Sequence, residues 1–174
     1  MNLIKPILTL SLWLIFSIAL FAQNEVERKL LSLQGLQQFG FTAAIEGSRI
    51  IADSESLTPS VIRQDAINRI VENGLQFVSD EEVRSSTEIP FLYMHINAME
   101  MENGLIPFSI QLKLYQPVKL VLNRDMQASA ITWEHGMVGL VSYDRLSTIQ
   151  NAAQELIMIF IEDYQTQNRR RGRR

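Results

Sequence analysis

The sequence predicts an α+β domain, a single antiparallel or mixed sheet of about five strands with two helices packed on one face. Three features predict it. The run from Phe108 to Leu122 alternates with period two, placing Phe108, Ile110, Leu112 and Leu114 on one side, which marks a strand with one face in a core. Near the end of the chain, Leu146, Ile149, Ala153, Leu156, Ile157, Phe160, Ile161 and Tyr164 recur at helical spacing, a stripe long enough to cover a sheet. Most of the remaining strand signals lie together between this helix and an earlier one, the order expected when helices gather on one side of a sheet.

After a polar linker or short helix over residues 24–33, Gln38 to Glu46 is rich in aromatic and β-branched residues and reads as the first strand, with Gly35, Gly40 and Gly47 as punctuation. Thr58 and Pro59 supply a hydroxyl cap and a proline at the first helical position, and Asn73-Gly74 supplies a stop. The helix between them carries Ile62, Ala66, Ile67, Ile70 and Val71 as its apolar stripe. Leu75 to Val78 is a short second strand, closed by the acidic run Asp80, Glu81 and Glu82.

Phe91 to Met99 should pair with the alternating run through Glu102-Asn103-Gly104. A two-residue Asn-Gly loop would set Leu92, Met94 and Ile96 opposite Tyr115, Lys113 and Gln111. A three-residue loop with Gly104 left-handed sets them opposite Leu114, Leu112 and Ile110, and only this register keeps the apolar residues on one face. Tyr93, His95 and Asn97 then lie beside Lys113, Gln111 and Ser109 on the other. Pro117 cannot donate to a ladder and marks a bulge, a break or an edge. A last strand, Ala128 to Glu134, leads through Gly136 and Gly139 into the final helix, which starts between Ser142 and Ser147.

The first 22 residues hold a single charge, Lys5, ahead of an apolar run that stops at Gln23, the pattern of a secretory signal peptide. Cleavage would follow Ala22 or Ala19, and an uncleaved membrane anchor is the alternative. The chain has 0 Cys, which excludes an acylated lipoprotein, disulfides, thiolate metal sites and thiol nucleophiles. Residues 23–167 then form one domain standing on its hydrophobic core alone, and residues 168–174 a basic, disordered tail. Of the 16 Lys and Arg, one precedes residue 23 and five are Arg169, Arg170, Arg171, Arg173 and Arg174. The ten that remain face all 19 Asp and Glu, so the body carries a net charge of −9, a poor match to nucleic acid.

No motif of catalysis emerges. The two histidines, His95 and His135, lie outside any H-x-x-x-H or H-E-x-x-H helix, and neither a Walker loop, a G-x-S-x-G elbow nor a Rossmann fingerprint occurs. No metal or cofactor is expected. His135 and Glu134, joined by carboxylates from the acidic loops at Asp80–Glu82 or Glu100 and Glu102, form the alternative, a metal-dependent or hydrolytic enzyme. Met158 and Ile159 fall outside the apolar stripe of the final helix and suggest an interface for a partner or a second copy.

From Pro90 onward the chain resembles an uncharacterised family of bacterial exported proteins. The residues that carry the likeness are Pro90-Phe91-Leu92-Tyr93, Trp133-Glu134-His135-Gly136-Met137-Val138-Gly139 and the terminal helix ending at Tyr164. Its order of elements is also similar in topology to periplasmic assembly domains: the N-terminal domain of TolB, the periplasmic domain of the curli secretion factor and the auxiliary lipoproteins of transporters. The resemblance implies a binding or assembly module without catalytic residues. The expected function is therefore a non-enzymatic periplasmic or secreted domain that binds a protein or cell-envelope component, through Tyr93, His95, Asn97, Gln111, Lys113 and Tyr115 on the open sheet face.

Overall fold

The structure, a computed structural model, describes residues 26–48, 51, 54 and 57–169. The signal peptide or anchor read at residues 1–22, and the arginines after residue 169, lie outside the described residues. In chain order the elements are β1 (Gln38–Gly47), α1 (Pro59–Glu72), β2 (Gln76–Phe77), α2 (Asp80–Ser85), β3 (Phe91–Ala98), β4 (Leu105–Lys119), β5 (Gln127–Ser142) and α3 (Ser147–Arg169), with a helical segment over residues 26–31 before β1. The five strands form one mixed sheet in the order β2-β1-β3-β4-β5. β1 is parallel to both β2 and β3, whereas β3, β4 and β5 are antiparallel neighbours.

The hairpin takes the three-residue loop. Met101 N–H donates to Leu105 O (2.8 Å), Gly104 N–H donates to Met101 O (2.9 Å), and Gly104 has φ +74°. Leu92, Met94 and Ile96 accordingly face Leu114, Leu112 and Ile110, and all six are fully buried. α1 and α3 cover this face. α1 is capped by the Thr58 hydroxyl, which accepts from Val61 N–H, and buries Ile62, Ala66 and Ile70, one seam at intervals of four. Val71, expected in that seam, is 56 % exposed, because it lies one residue, about 100° of helix rotation, past Ile70. The two helices also meet through Asp65, whose carboxylate accepts from Gln150 and Gln154, and through Arg69, which donates to Gln154.

The acidic run after β2 is a helix of its own, α2, closed by a capping box in which Ser79 and Glu82 satisfy each other's ends. The Ser79 hydroxyl and backbone N–H both donate to the Glu82 carboxylate, which holds its pKa below the ordinary value. Val83 of α2 packs on Gly40, where any added Cβ would sit 2.3 Å from a Val83 methyl. That contact lies on the face of β1 opposite Phe39 and Phe41. The chain thus passes from β1 to β2 across one face and returns from β2 to β3 across the other, which gives both crossovers the same hand.

β5 departs most from expectation. Instead of ending at Glu134 it continues to Ser142, straight through Gly136 and Gly139. Neither glycine has positive φ. Gly139 lies opposite Phe108, and the ring occupies the space of the missing side chain. A bulge between Leu114 and Tyr115 shifts the β4–β5 register. Pro117 is placed three residues beyond it, where β4 has run past the end of β3 and only β5 remains as a neighbour.

The N-terminal segment joins the core through Leu33 and Leu36 and is tied to the end of α3. Asn168 Nδ2 donates to Leu33 O (3.0 Å), and Gly35 N–H donates to Asn168 Oδ1 (3.0 Å). The final helix thus continues through Asn168, whose side chain closes the N-terminal segment onto it. Tyr164 O–H donates to Leu36 O (2.8 Å), and burial raises its pKa above the ordinary tyrosine value. A group raised in this way contributes stability that is whole below its unfolded pKa of about 10 and is lost as pH rises through the folded value. Tyr164→Phe should cost about 1 kcal/mol at pH 7 and should flatten the alkaline fall in stability. Urea melts of both proteins from pH 7 to 11 measure this; an unchanged alkaline slope would mean that the phenol does not carry it.

Candidate binding face

On the face opposite α1 and α3, the odd-numbered residues of β3 and β4 come together. The ladder sets Tyr93 against Lys113, His95 against Gln111, Asn97 against Ser109 and Phe91 against Tyr115. All six side chains singled out in the sequence therefore share one surface on two neighbouring strands. β1 adds Thr42, Ala44 and Glu46 beside Tyr93, His95 and Asn97, and β5 adds Glu134 beside Lys113.

The surface is more apolar than its sequence suggests. Phe91 and Tyr115 stack at 5.0 Å with planes 8° apart, Tyr93 and His95 at 6.1 Å with planes 10° apart, and Tyr115 meets Tyr93 edge-on at 6.5 Å. These contacts join four rings into one row. Phe91 was not singled out in the sequence, although it continues the period of Tyr93 and His95. Alternation alone places it on this face, and its partner follows from the hairpin register.

His95 has a second neighbour. Its Nε2 lies 3.4 Å from Glu46 Oε1, and the nitrogen is buried without a hydrogen bond of good geometry. Glu46 was not legible as a partner, because it arrives through the parallel pairing of β1 with β3, strands separated in sequence by a helix, a strand and a second helix.

In the enzymatic alternative, Glu134 and His135 are neighbours in sequence but do not share a face of the sheet. Glu134 pairs with Lys113 and His135 with Leu112, so the two side chains leave β5 toward opposite faces of the sheet. Both reach the rim of an open groove of about 950 Å³ that wraps the β5 edge beside Arg28, Lys29 and Ser32. Of the acidic-loop carboxylates, Asp80 pairs with Arg63 and Glu82 closes its capping box. No group of three or more His, Asp or Glu suited to a metal occurs among the described residues.

Trp133, at the floor of the groove, is structural. It is 1 % exposed, meets Phe160 edge-on at 5.2 Å and donates Nε1–H to Asp163 Oδ2 (2.9 Å), while the Lys29 ammonium lies 5.1 Å from its ring centre. Met158 and Ile159, read as an interface, are half-buried and pack against the margin of the core. No described helix is long and apolar enough to cross a membrane.

No family profile matches the chain, and no curated protein is significantly similar to it. Among solved structures, two PelC dodecamers from Paraburkholderia phytofirmans are similar. A leucine-to-methionine variant has 13 % identity and a TM-score of 0.40 over 75 % of this chain and 90 % of that one. A second crystal form has 14 % identity and a TM-score of 0.40 over 74 % and 87 %. Likeness at this level leaves function to be argued from the chain's own residues.

Proposed function

We propose that this protein is an exported, non-enzymatic binding or assembly domain that engages a protein or cell-envelope component through the open face of its sheet. The observation that carries the reading is the row of four rings, Phe91, Tyr115, Tyr93 and His95, lying outside the core and flanked by Lys113, Gln111 and Asn97. Aromatic rings bordered by hydrogen-bonding groups are what binding surfaces use, since the rings contribute buried area at small entropic cost and the polar rim sets orientation. Export rests on the apolar leader of residues 1–22. The acidic body argues against nucleic acid as the partner.

The test is photocrosslinking in the cell envelope from a probe at Ser109, followed by mass spectrometry of the adducts. A Tyr93→Ala, Lys113→Glu double variant should lower the yield of a specific adduct at least about ten-fold, the effect of losing ~1.4 kcal/mol of contact, with an unchanged circular dichroism spectrum. An adduct yield that ignores both substitutions overturns the proposal. So does substrate turnover by the purified protein that disappears in His135→Ala.

A further inference from the structure

The two edges of the sheet are unlike. β2, at one end, has two residues, and short edge strands are a common protection against unwanted pairing. β5, at the other end, has 16 residues, and from Gly136 to Val141 it carries no charge and no proline. Val138 is 81 % exposed and Leu140 57 %. A long edge with apolar side chains and no charge in its path is a template for another strand.

Only part of that edge is open. Toward its start, the segment before β1 lies against β5, with the Ser32 hydroxyl donating to Thr132 O (2.9 Å) and Lys29 over Trp133. From His135 to Val141, no hydrogen bond other than those of the β4 ladder reaches the strand's backbone among the described residues. The midpoint of this window is Val138.

We infer that β5 pairs with β5 of a second copy, antiparallel and about a two-fold axis through Val138, to give a continuous ten-stranded sheet. The occupant follows from the sequence of the edge. In antiparallel pairing about Val138, position numbers of facing residues sum to a constant. Leu140 therefore faces the partner's Gly136 and Met137 faces the partner's Gly139, so each large side chain meets a position without one. His135 faces the partner's Val141, and Glu134 faces the partner's Ser142, so no like charges are opposed across the pair. Closure by a two-fold axis stops the assembly at the dimer, since β2 offers no second edge of comparable length. The Gly136-Met137-Val138-Gly139 run thereby acquires a role as the self-complementary centre of an interface, separate from the aromatic face proposed above to bind a partner.

The chain has 0 Cys, so one introduced thiol reports on one contact. Val138→Cys and Leu140→Cys are compared under mild oxidation of the purified protein, with sedimentation velocity of the parent and of Val138→Lys. The parent is expected to show a reversible, concentration-dependent dimer. Val138→Cys should form the covalent dimer at least ten-fold faster than Leu140→Cys, whose thiols would be held four residues, about 13 Å, out of register. Val138→Lys, an exposed substitution that leaves the fold intact, should sediment as a monomer. A parent that remains monomeric at 100 µM, on the order of the weakest concentration relevant to such a contact, overturns the inference. Equal crosslinking of the two cysteine variants, or an undiminished dimer in Val138→Lys, overturns this register. Each readout is oligomeric state, so failure here leaves the aromatic face untouched, and failure of partner capture leaves the dimer untouched.

Discussion

Trp133→Ala is expected to lower the unfolding free energy by about 3–5 kcal/mol, the range for removing a large buried aromatic. Three interactions end together: the edge-on contact with Phe160, the hydrogen bond to Asp163 and the seat of the Lys29 ammonium. Of these, loss of packing dominates, because the residue is 1 % exposed and sits where β5, α3 and the N-terminal segment converge. Trp133→Phe separates the contributions. It keeps a ring against Phe160 and gives up the Asp163 bond, so its cost should be about half as large, roughly 1.5–3 kcal/mol. Urea unfolding followed by far-ultraviolet circular dichroism measures both, since the substitutions remove one of the chain's 2 tryptophans and confuse a fluorescence signal. A loss under about 1 kcal/mol for the alanine variant would show that the indole is not the keystone of that corner.

Gly139→Ala should destabilise by about 1–3 kcal/mol, the usual penalty of overpacking. The new methyl would sit 2.5 Å from both Cε1 and Cζ of Phe108, a rigid ring with 8 % exposure that cannot yield without leaving the core edge. Gly136→Ala is the matched control. It lies on the opposite face, its nearest contact is Ile110 O at 3.3 Å, and its effect should stay within about 1 kcal/mol. Measured at low protein concentration, where self-association does not contribute, a Gly139→Ala variant as stable as the parent would contradict the seating of Phe108 on that glycine.

The behaviour of these two glycines shows where local reading stops. Glycine in a strand signal ordinarily indicates a bulge or an end, and on that rule β5 should finish at Glu134. Here the glycines keep ordinary backbone angles and answer a demand for space, from the ring on β4 in one case and a close carbonyl in the other. That demand comes from a residue some thirty positions away. The capping box at Ser79 is the reverse case, since Ser79-x-x-Glu82 is a helix start contained within four consecutive residues, beneath the acidity of the run. In contrast, the β3–β4 register was legible to the residue, because a turn of three residues and an apolar alternation on each side admit one pairing that buries both.

The candidate face divides along the same line. Tyr93, His95, Asn97, Gln111, Lys113 and Tyr115 could be placed on one surface from alternation and a local hairpin. Glu46 beside His95 and the covering of Gly40 by Val83 could not, because both depend on parallel pairing through crossover connections.

Sequence alone determined the fold class, the helix caps at Thr58 and Asn73, the hairpin register and the apolar faces of β3, β4 and α3, all of which follow from periodicity and short-range turn chemistry. Tertiary structure decided the order of strands, the full length of β5 and the placing of Glu46 beside His95. It decided them because strand order and edge exposure depend on which distant segments lie side by side, and no property of a residue's immediate neighbours encodes that choice.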